Sequence, residues 1–170
     1  KAGLYFSFSE VMLGQATIPT KPIKLEILFT ELERYKLKTK GKKEIIKSLY
    51  GISDGTNFYL NSRLYSEEPY FIKAKMMGAH FYFEDRVYNG LAQATLGMLG
   101  SALYEKKVGI IINTANGRLS ILDENVFFEI IKPYPELLKM YEDSNKKLKI
   151  KRILLQKINQ QLSDTFNQNE

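Results

Sequence analysis

Few residues in this chain have the type and setting for chemistry. There is one histidine, His80, and no cysteine. Thiol nucleophiles, thiolate metal sites and disulfides are therefore excluded, and one histidine cannot build a His-based metal cluster or a two-histidine relay. His80 is available as a lone base, but it stands beside Phe81 in a strand-like run, which favours a structural or half-exposed ring. Carboxylates are the other candidates: Glu67-Glu68, Glu84-Asp85 and Asp123-Glu124. Neighbours on a strand point to opposite faces, so the first two pairs are badly arranged for acid–base work. Asp123-Glu124 reads as the cap of a helix. Phosphate-cradling patterns are missing too. Gly41-Lys42 lacks the earlier glycine and the following Ser or Thr of a P-loop, and neither G-x-S-x-G nor G-x-G-x-x-G occurs. The expectation is a non-enzymatic protein with no cofactor and no metal site.

One further stretch, Ser53-Asp54-Gly55-Thr56, is either a ligand-cradling loop or the bend of a hairpin. With Asp54-Gly55 at the centre of a type I′ turn, Leu49 faces Leu60, Gly51 faces Phe58 and Ile45 faces Leu64. Tyr50 then faces Tyr59, and Ile52 faces Asn57, on the other side. A single register thus yields one apolar face and a half-exposed Tyr–Tyr pair, which argues for a turn. Asn116-Gly117 repeats the logic, with Ile112 facing Ile121 and Ile111 facing Leu122. Between the two, Tyr70, Ile72, Ala74 and Met76 alternate with Phe71, Lys73 and Lys75. Gly78 interrupts this run as a bulge or turn before Phe81 and Phe83 resume.

These hairpins need elements to carry them. Leu4, Phe6 and Phe8 predict a short first strand, and Ser7 to Glu10 the capping box of a brief helix ending at Gly14. Residues 18–22 hold two prolines and read as a loop; 23–29 have strand composition; 30–44 read as a charged hairpin arm around Lys40-Gly41-Lys42. Asp123 or Glu124 starts a helix that stops at Pro133. Pro135 opens a longer amphipathic one, in which Ile150, Leu154, Ile158, Leu162 and Phe166 recur every four residues, widened by Leu148 and Leu155. Asn145, Arg152 and Asn159 interrupt the second seam of a heptad, so a coiled coil is not expected. Segment 89–104 is apolar and glycine-rich, a crossover or a contact surface. The fold expected is α+β: an antiparallel sheet built from hairpins, curved towards a barrel, with a C-terminal helical element. The domains expected are 1–132, the sheet with its short N-terminal helix, and 133–170, a basic helix packed on it.

Bulk properties narrow the partners. A chain of 170 residues with 44% hydrophobic residues buries a real core. No apolar run approaches the roughly 18 residues of a spanning helix. Net charge is +6, in two clusters: Arg34, Lys36, Lys38, Lys40, Lys42, Lys43 and Lys47, then Lys139, Lys146, Lys147, Lys149, Lys151, Arg152 and Lys157. Lysines dominate, which suits a solvated face or a weak lipid or anionic-surface contact better than base reading. Tyr50, Tyr59 and Arg63 are the best case for a nucleic-acid platform, and with five arginines and no RNP-type pattern nucleic acid is not expected.

"YGISDGTNFYLNSRLY" followed by "GAHFYFED" resembles a group of uncharacterised exported proteins of Bacteroidetes-type bacteria. The shared core is G-[FI]-S-D-G-x-N-x-Y-[IL]-N, matched by Gly51 to Asn61. The tail matches through Asn116-Gly117, Val126 to Lys132, Pro135-Glu136-Leu137 and Lys146 to Lys157, so the likeness runs from about Lys36 onward. It implies export after signal-peptide removal, to the periplasm or beyond, and carries no catalytic residues. The start at Lys1-Ala2-Gly3, without Met, fits a cleaved signal peptide or a trimmed chain. The function expected is a non-enzymatic exported binding or structural module of the cell envelope. It would contact an envelope component or protein through Leu96, Met98 and Leu99 and through Lys146, Lys147, Lys149, Lys151 and Arg152. The alternative is a small-molecule or lipid carrier, its ligand inside the curved sheet among Phe58, Leu60, Phe81 and Phe83.

Overall fold

The computed structural model describes residues 1–19, 25–29, 33–37, 43–66, 69–86, 107–145 and 148–167. Two compact units divide the chain: Lys1–Ala74 with Glu84–Lys107, and Lys75–Phe83 with Val108–Glu170.

The first unit holds seven strands: β1 (Gly3–Tyr5), β2 (Ile18–Pro19), β3 (Leu25–Phe29), β4 (Arg34–Leu37), β5 (Gly51–Ser53), β6 (Phe58–Asn61) and β7 (Phe71–Lys73). They form one antiparallel sheet in the order β2-β1-β5-β6-β7-β4-β3. The sheet is open, ending at β2 and β3, so the antiparallel α+β expectation holds and the barrel-like closure does not. Helix α1 (Phe8–Leu13) follows β1 as its capping pattern predicts. Ser7 Oγ accepts from the Glu10 N–H, and Gly14 ends the helix at φ 62°.

Helix α2 (Lys43–Ser48) is a correction. Ile45 lies in this helix and Leu64 in a 3-10 turn (Ser62–Leu64), so they do not pair as strands. Asn61 holds the end of α2: its Nδ2 donates to the carbonyls of Ile46 (3.0 Å) and Leu49 (2.7 Å), two groups a helix terminus leaves unpaired. Leu49 and Ile46 then cover the sheet face built by Leu4, Ile52, Tyr59, Phe71, Tyr35, Leu37 and Leu25. Tyr59 is therefore core, 6% exposed, not half of an exposed tyrosine pair.

Both hairpins are present, but each turn is centred one residue from the expected pair, so the partners are displaced by two residues. The first pairs Gly51 with Leu60, Ile52 with Tyr59 and Ser53 with Phe58. The Asp54 side chain has taken over the turn: Oδ1 accepts from the N–H of Thr56 (2.8 Å) and Asn57 (2.7 Å), and Oδ2 from Asn57 Nδ2 (3.1 Å) and the Tyr59 hydroxyl (2.8 Å). Gly55, at φ 101°, becomes the first central residue and Thr56 the second. Gly51 to Asn61 is thus a scaffold whose polar members all serve the turn or the end of α2.

The second unit is built on a three-stranded antiparallel sheet in the order β10-β9-β8: β8 (His80–Arg86), β9 (Lys107–Asn113) and β10 (Leu119–Ile121). β8 runs on into the first unit, after a turn at Gly78 closed by the Met76–Tyr82 bridge. Three helices follow. The Asp123 carboxylate caps α3 (Glu124–Ile131), accepting from the Val126 N–H at 2.8 Å. Pro135 opens α4 (Pro135–Glu142). The single long helix expected from Pro135 is in fact two, because Ser144 Oγ donates to the Tyr141 carbonyl (2.6 Å) and competes with the helical ladder. The last helix, α5 (Leu148–Asn167), begins afresh. Leu154, Leu155 and Ile158 of α5 pack with Phe127 and Ile131 of α3, Leu137 and Tyr141 of α4, and Tyr82 and Ile111 of the sheet. Helices on both sides of 132/133 share this core, so the chain does not divide there.

A polar cleft on the second unit

The β9–β10 hairpin ends in the loop 114–117, closed by the Asn113 N–H donating to the Arg118 carbonyl (3.1 Å) and the Gly117 N–H donating to Asn113 (2.8 Å). Again side chains stand in for backbone acceptors: Asn113 Oδ1 accepts from the Ala115 N–H and Asn116 Oδ1 from the Arg118 N–H, each at 2.9 Å. The register is Leu119 with Ile112, Ser120 with Ile111 and Ile121 with Ile110, two residues from the expected one for the same reason.

This arrangement fixes which end of each amide is spoken for. The oxygens of Asn113 and Asn116 serve the loop, so their NH2 groups are the ends left over. Beside them Arg118 brings its guanidinium and Ser120 its hydroxyl. Across from the hairpin, α3 presents Asn125 and Glu129. Ile111, Val126 and Ile130 supply apolar walls, and His80 completes a cleft of about 350 Å³.

His80 is the most constrained member. Asn159, on α5, clamps its backbone on both sides: the His80 N–H donates to Asn159 Oδ1 (2.9 Å) and Asn159 Nδ2 donates to the His80 carbonyl (2.8 Å). Asn159 also presses on the turn before β8. A Cβ at Gly78 would lie 2.7 Å from Asn159 Cγ, so only glycine leaves room. Burial pushes the imidazole pKa down, partly opposed by a hydrogen bond with Asn159. Its Nδ1 is buried and has no hydrogen-bond partner among the described residues. A buried polar atom left unpaired costs about 1–3 kcal/mol.

The other expected chemistry is dispersed. Glu84 pairs with Lys107 (2.7 Å), while its neighbour Asp85 turns to a different cluster. Asp85 Oδ1 accepts from Arg34 Nε (2.8 Å) and Oδ2 accepts the hydroxyls of Tyr65 (2.8 Å) and Tyr70 (2.6 Å), with Arg34 also 4.2 Å over the Tyr70 ring. All four residues are buried. Burial and the adjacent carboxylate drive both tyrosine pKa values far up. This is a buried ion pair in which both carboxylate oxygens are taken. Asp123 is a cap as expected, and Glu124 accepts a hydrogen bond from Tyr141 and an ion pair from Lys151 (2.9 Å).

Of the expected contact residues, Leu96, Met98, Leu99, Lys146 and Lys147 lie outside the described residues, as does the pair Glu67-Glu68. Lys149 is exposed and Arg152 half-buried on α5. Lys151 does not share that face. It is buried, with its ammonium on Glu124 and over the Phe127 ring at 5.7 Å. Phe58 and Leu60 belong to the seven-stranded sheet and Phe81 and Phe83 to the three-stranded one, so no single curved sheet carries all four. Tyr50 and Tyr59 do not form an open platform with Arg63: Tyr59 is core and Arg63 sits in the 3-10 turn. Among the described residues no group of three His, Asp or Glu side chains could hold a metal, and no helix is long and apolar enough to cross a membrane.

An open antiparallel α+β scaffold bearing a polar-rimmed cleft is the class of protein these features define. The chain belongs to the DUF6563 family, a family of unknown function, whose model matches residues 3–162. No curated protein and no solved structure matches it.

Proposed function

We propose that this protein is a non-enzymatic binding module of the bacterial cell envelope, and that its ligand seats in the cleft between the β9–β10 hairpin and α3. One observation carries the reading: the half-buried His80, clamped through its backbone by Asn159, keeps a buried Nδ1 without a partner among the described residues, beside a rim of polar side chains. A small cavity with apolar walls and a few convergent polar groups is the usual form of a ligand site. The envelope location rests on the resemblance carried by Gly51 to Asn61. Exposed Lys149 and half-buried Arg152 on α5 support a weaker, salt-sensitive contact with an anionic surface alongside it.

The test is native mass spectrometry of the full chain, purified gently from the envelope fraction, beside Asn125→Trp. Asn125 is exposed on α3, so an indole there fills the cleft without touching the core. A small-molecule adduct on the wild type that disappears in the variant supports the reading. An adduct held equally by both proteins, or a chain that is absent from the envelope fraction, overturns it.

A further inference from the structure

We infer that the cleft takes a hydroxyl-rich ligand of one or two sugar rings; this rests on the cleft being the binding site. The argument is the polarity of its two walls. On the hairpin wall, Asn113 and Asn116 have committed their oxygens to the loop, so with Arg118 that wall offers N–H donors. On the helix wall, Glu129 offers acceptors only, and Asn125 either kind. A ligand that bridges the walls must accept from one and donate to the other.

Simple anions and simple amines fail that requirement. A carboxylate satisfies the hairpin but has no proton for Glu129, and an ammonium does the reverse. A hydroxyl accepts and donates at once, and several on one ring meet both walls together. His80 lines the same cleft, so its ring reports on what enters it. Zwitterions could also bridge the walls, through Arg118 and Glu129. They would leave the cleft's larger neutral set, the three asparagines and Ser120, without a matching group. The space, about 350 Å³, lies at the small end of ligand cavities and suits one or two rings.

Because His80 is the only histidine, its ring gives a single, unambiguous NMR signal from inside the cleft. The full chain, labelled at histidine, is titrated at fixed pH with glucose, cellobiose, N-acetylglucosamine, glycylglycine and acetate. A saturable shift of the His80 ring with at least one saccharide, at millimolar or tighter affinity and without a response to glycylglycine or acetate, is the expected result. The double variant Asn113→Asp/Asn116→Asp keeps both loop acceptors and therefore the fold, but loses both amide donors. It should weaken the saccharide about tenfold or more. A ring that answers only to glycylglycine or acetate, or that responds to no saccharide, overturns the ligand class. So does an undiminished affinity in the double variant. In each of these cases the binding reading stands or falls separately on the Asn125→Trp comparison.

Discussion

Asp85 and His80 lie on the same strand, β8, yet their polar atoms are treated in opposite ways. Asp85 is fully buried and both its oxygens are taken, by Arg34, Tyr65 and Tyr70. His80 is held just as firmly through its backbone, but its ring keeps one buried nitrogen with no hydrogen-bond partner among the described residues. The amides beside it spend one end on the loop and leave the other over. A saturated polar cluster has no capacity for a ligand and contributes only to the fold. An unsaturated one carries a standing cost of desolvation that a ligand can remove. The charged cluster, which looks the more chemical of the two, is therefore architecture, and the nearly neutral one is the candidate site.

The comparison breaks first at Asp85. Asp85→Ala would strand a buried guanidinium and two tyrosine hydroxyls, and urea unfolding should show a loss of about 3–5 kcal/mol. Replacing both charges with apolar groups of similar volume, as in Arg34→Met/Asp85→Leu, should cost much less than the single change, because no charge is then left unpaired. If the single variant loses less than about 1 kcal/mol, the cluster is not saturated in solution and the contrast with His80 collapses.

Next in size is the clamp. Asn159→Leu keeps the side chain's bulk and removes both bonds to the His80 backbone, leaving its N–H and carbonyl without them. The expected loss is about 2–3 kcal/mol in the same measurement. The His80 ring signal should also broaden, since its strand end is no longer fixed. A stable variant with an unchanged ring signal would show that α5 does not position the site.

How far the sequence announces this depends on whether side chains or backbone decide each feature. The two hairpins, to within one residue of their turns, the cap at Asp123, the opening of α4 at Pro135 and the stripe Leu154-Ile158 are local, and their residue types state them. Strand partners were displaced by two because Asp54, Asn113 and Asn116 accept from the backbone through their side chains, which a type I′ rule does not anticipate. Helix α2 was hidden because Ile45 fits an extended hairpin arm as well as a helix. The cleft was less legible still. Asn113, Asn116 and Asn125 form no spaced motif, and Asn159 looked like a defect in a heptad, although it clamps a residue about eighty positions away. Lys151 was grouped with surface lysines on composition, yet it stands three before Leu154 and four before Leu155, on the buried stripe. A polar residue interrupting an otherwise apolar helical face was the available signal in both cases.

The smallest effect falls on the turn. Burial alone would raise the Asp54 carboxyl, but hydrogen bonds from the backbone and side chain of Asn57, the N–H of Thr56 and the Tyr59 hydroxyl outweigh it, bringing its pKa to about 2 from the ordinary 3.8. A carboxyl whose pKa falls on folding adds stability above its unfolded value and loses it as pH drops through its folded one. Asp54→Ala should therefore be less stable than wild type by about 1 kcal/mol at neutral pH. The gap should begin to close below pH 3.8 and vanish as pH falls through about 2. Because the group is largely solvated, salt screens its charge and the effect is set by bond geometry more than by field. The cleft variants Asn113→Asp and Asn116→Asp give the contrast: each keeps its turn acceptor, so neither should lose this stability at neutral pH. If they destabilise as much as Asp54→Ala, the asparagine oxygens and the aspartate do not do the same job, and the leftover amide nitrogens lose their basis as ligand donors.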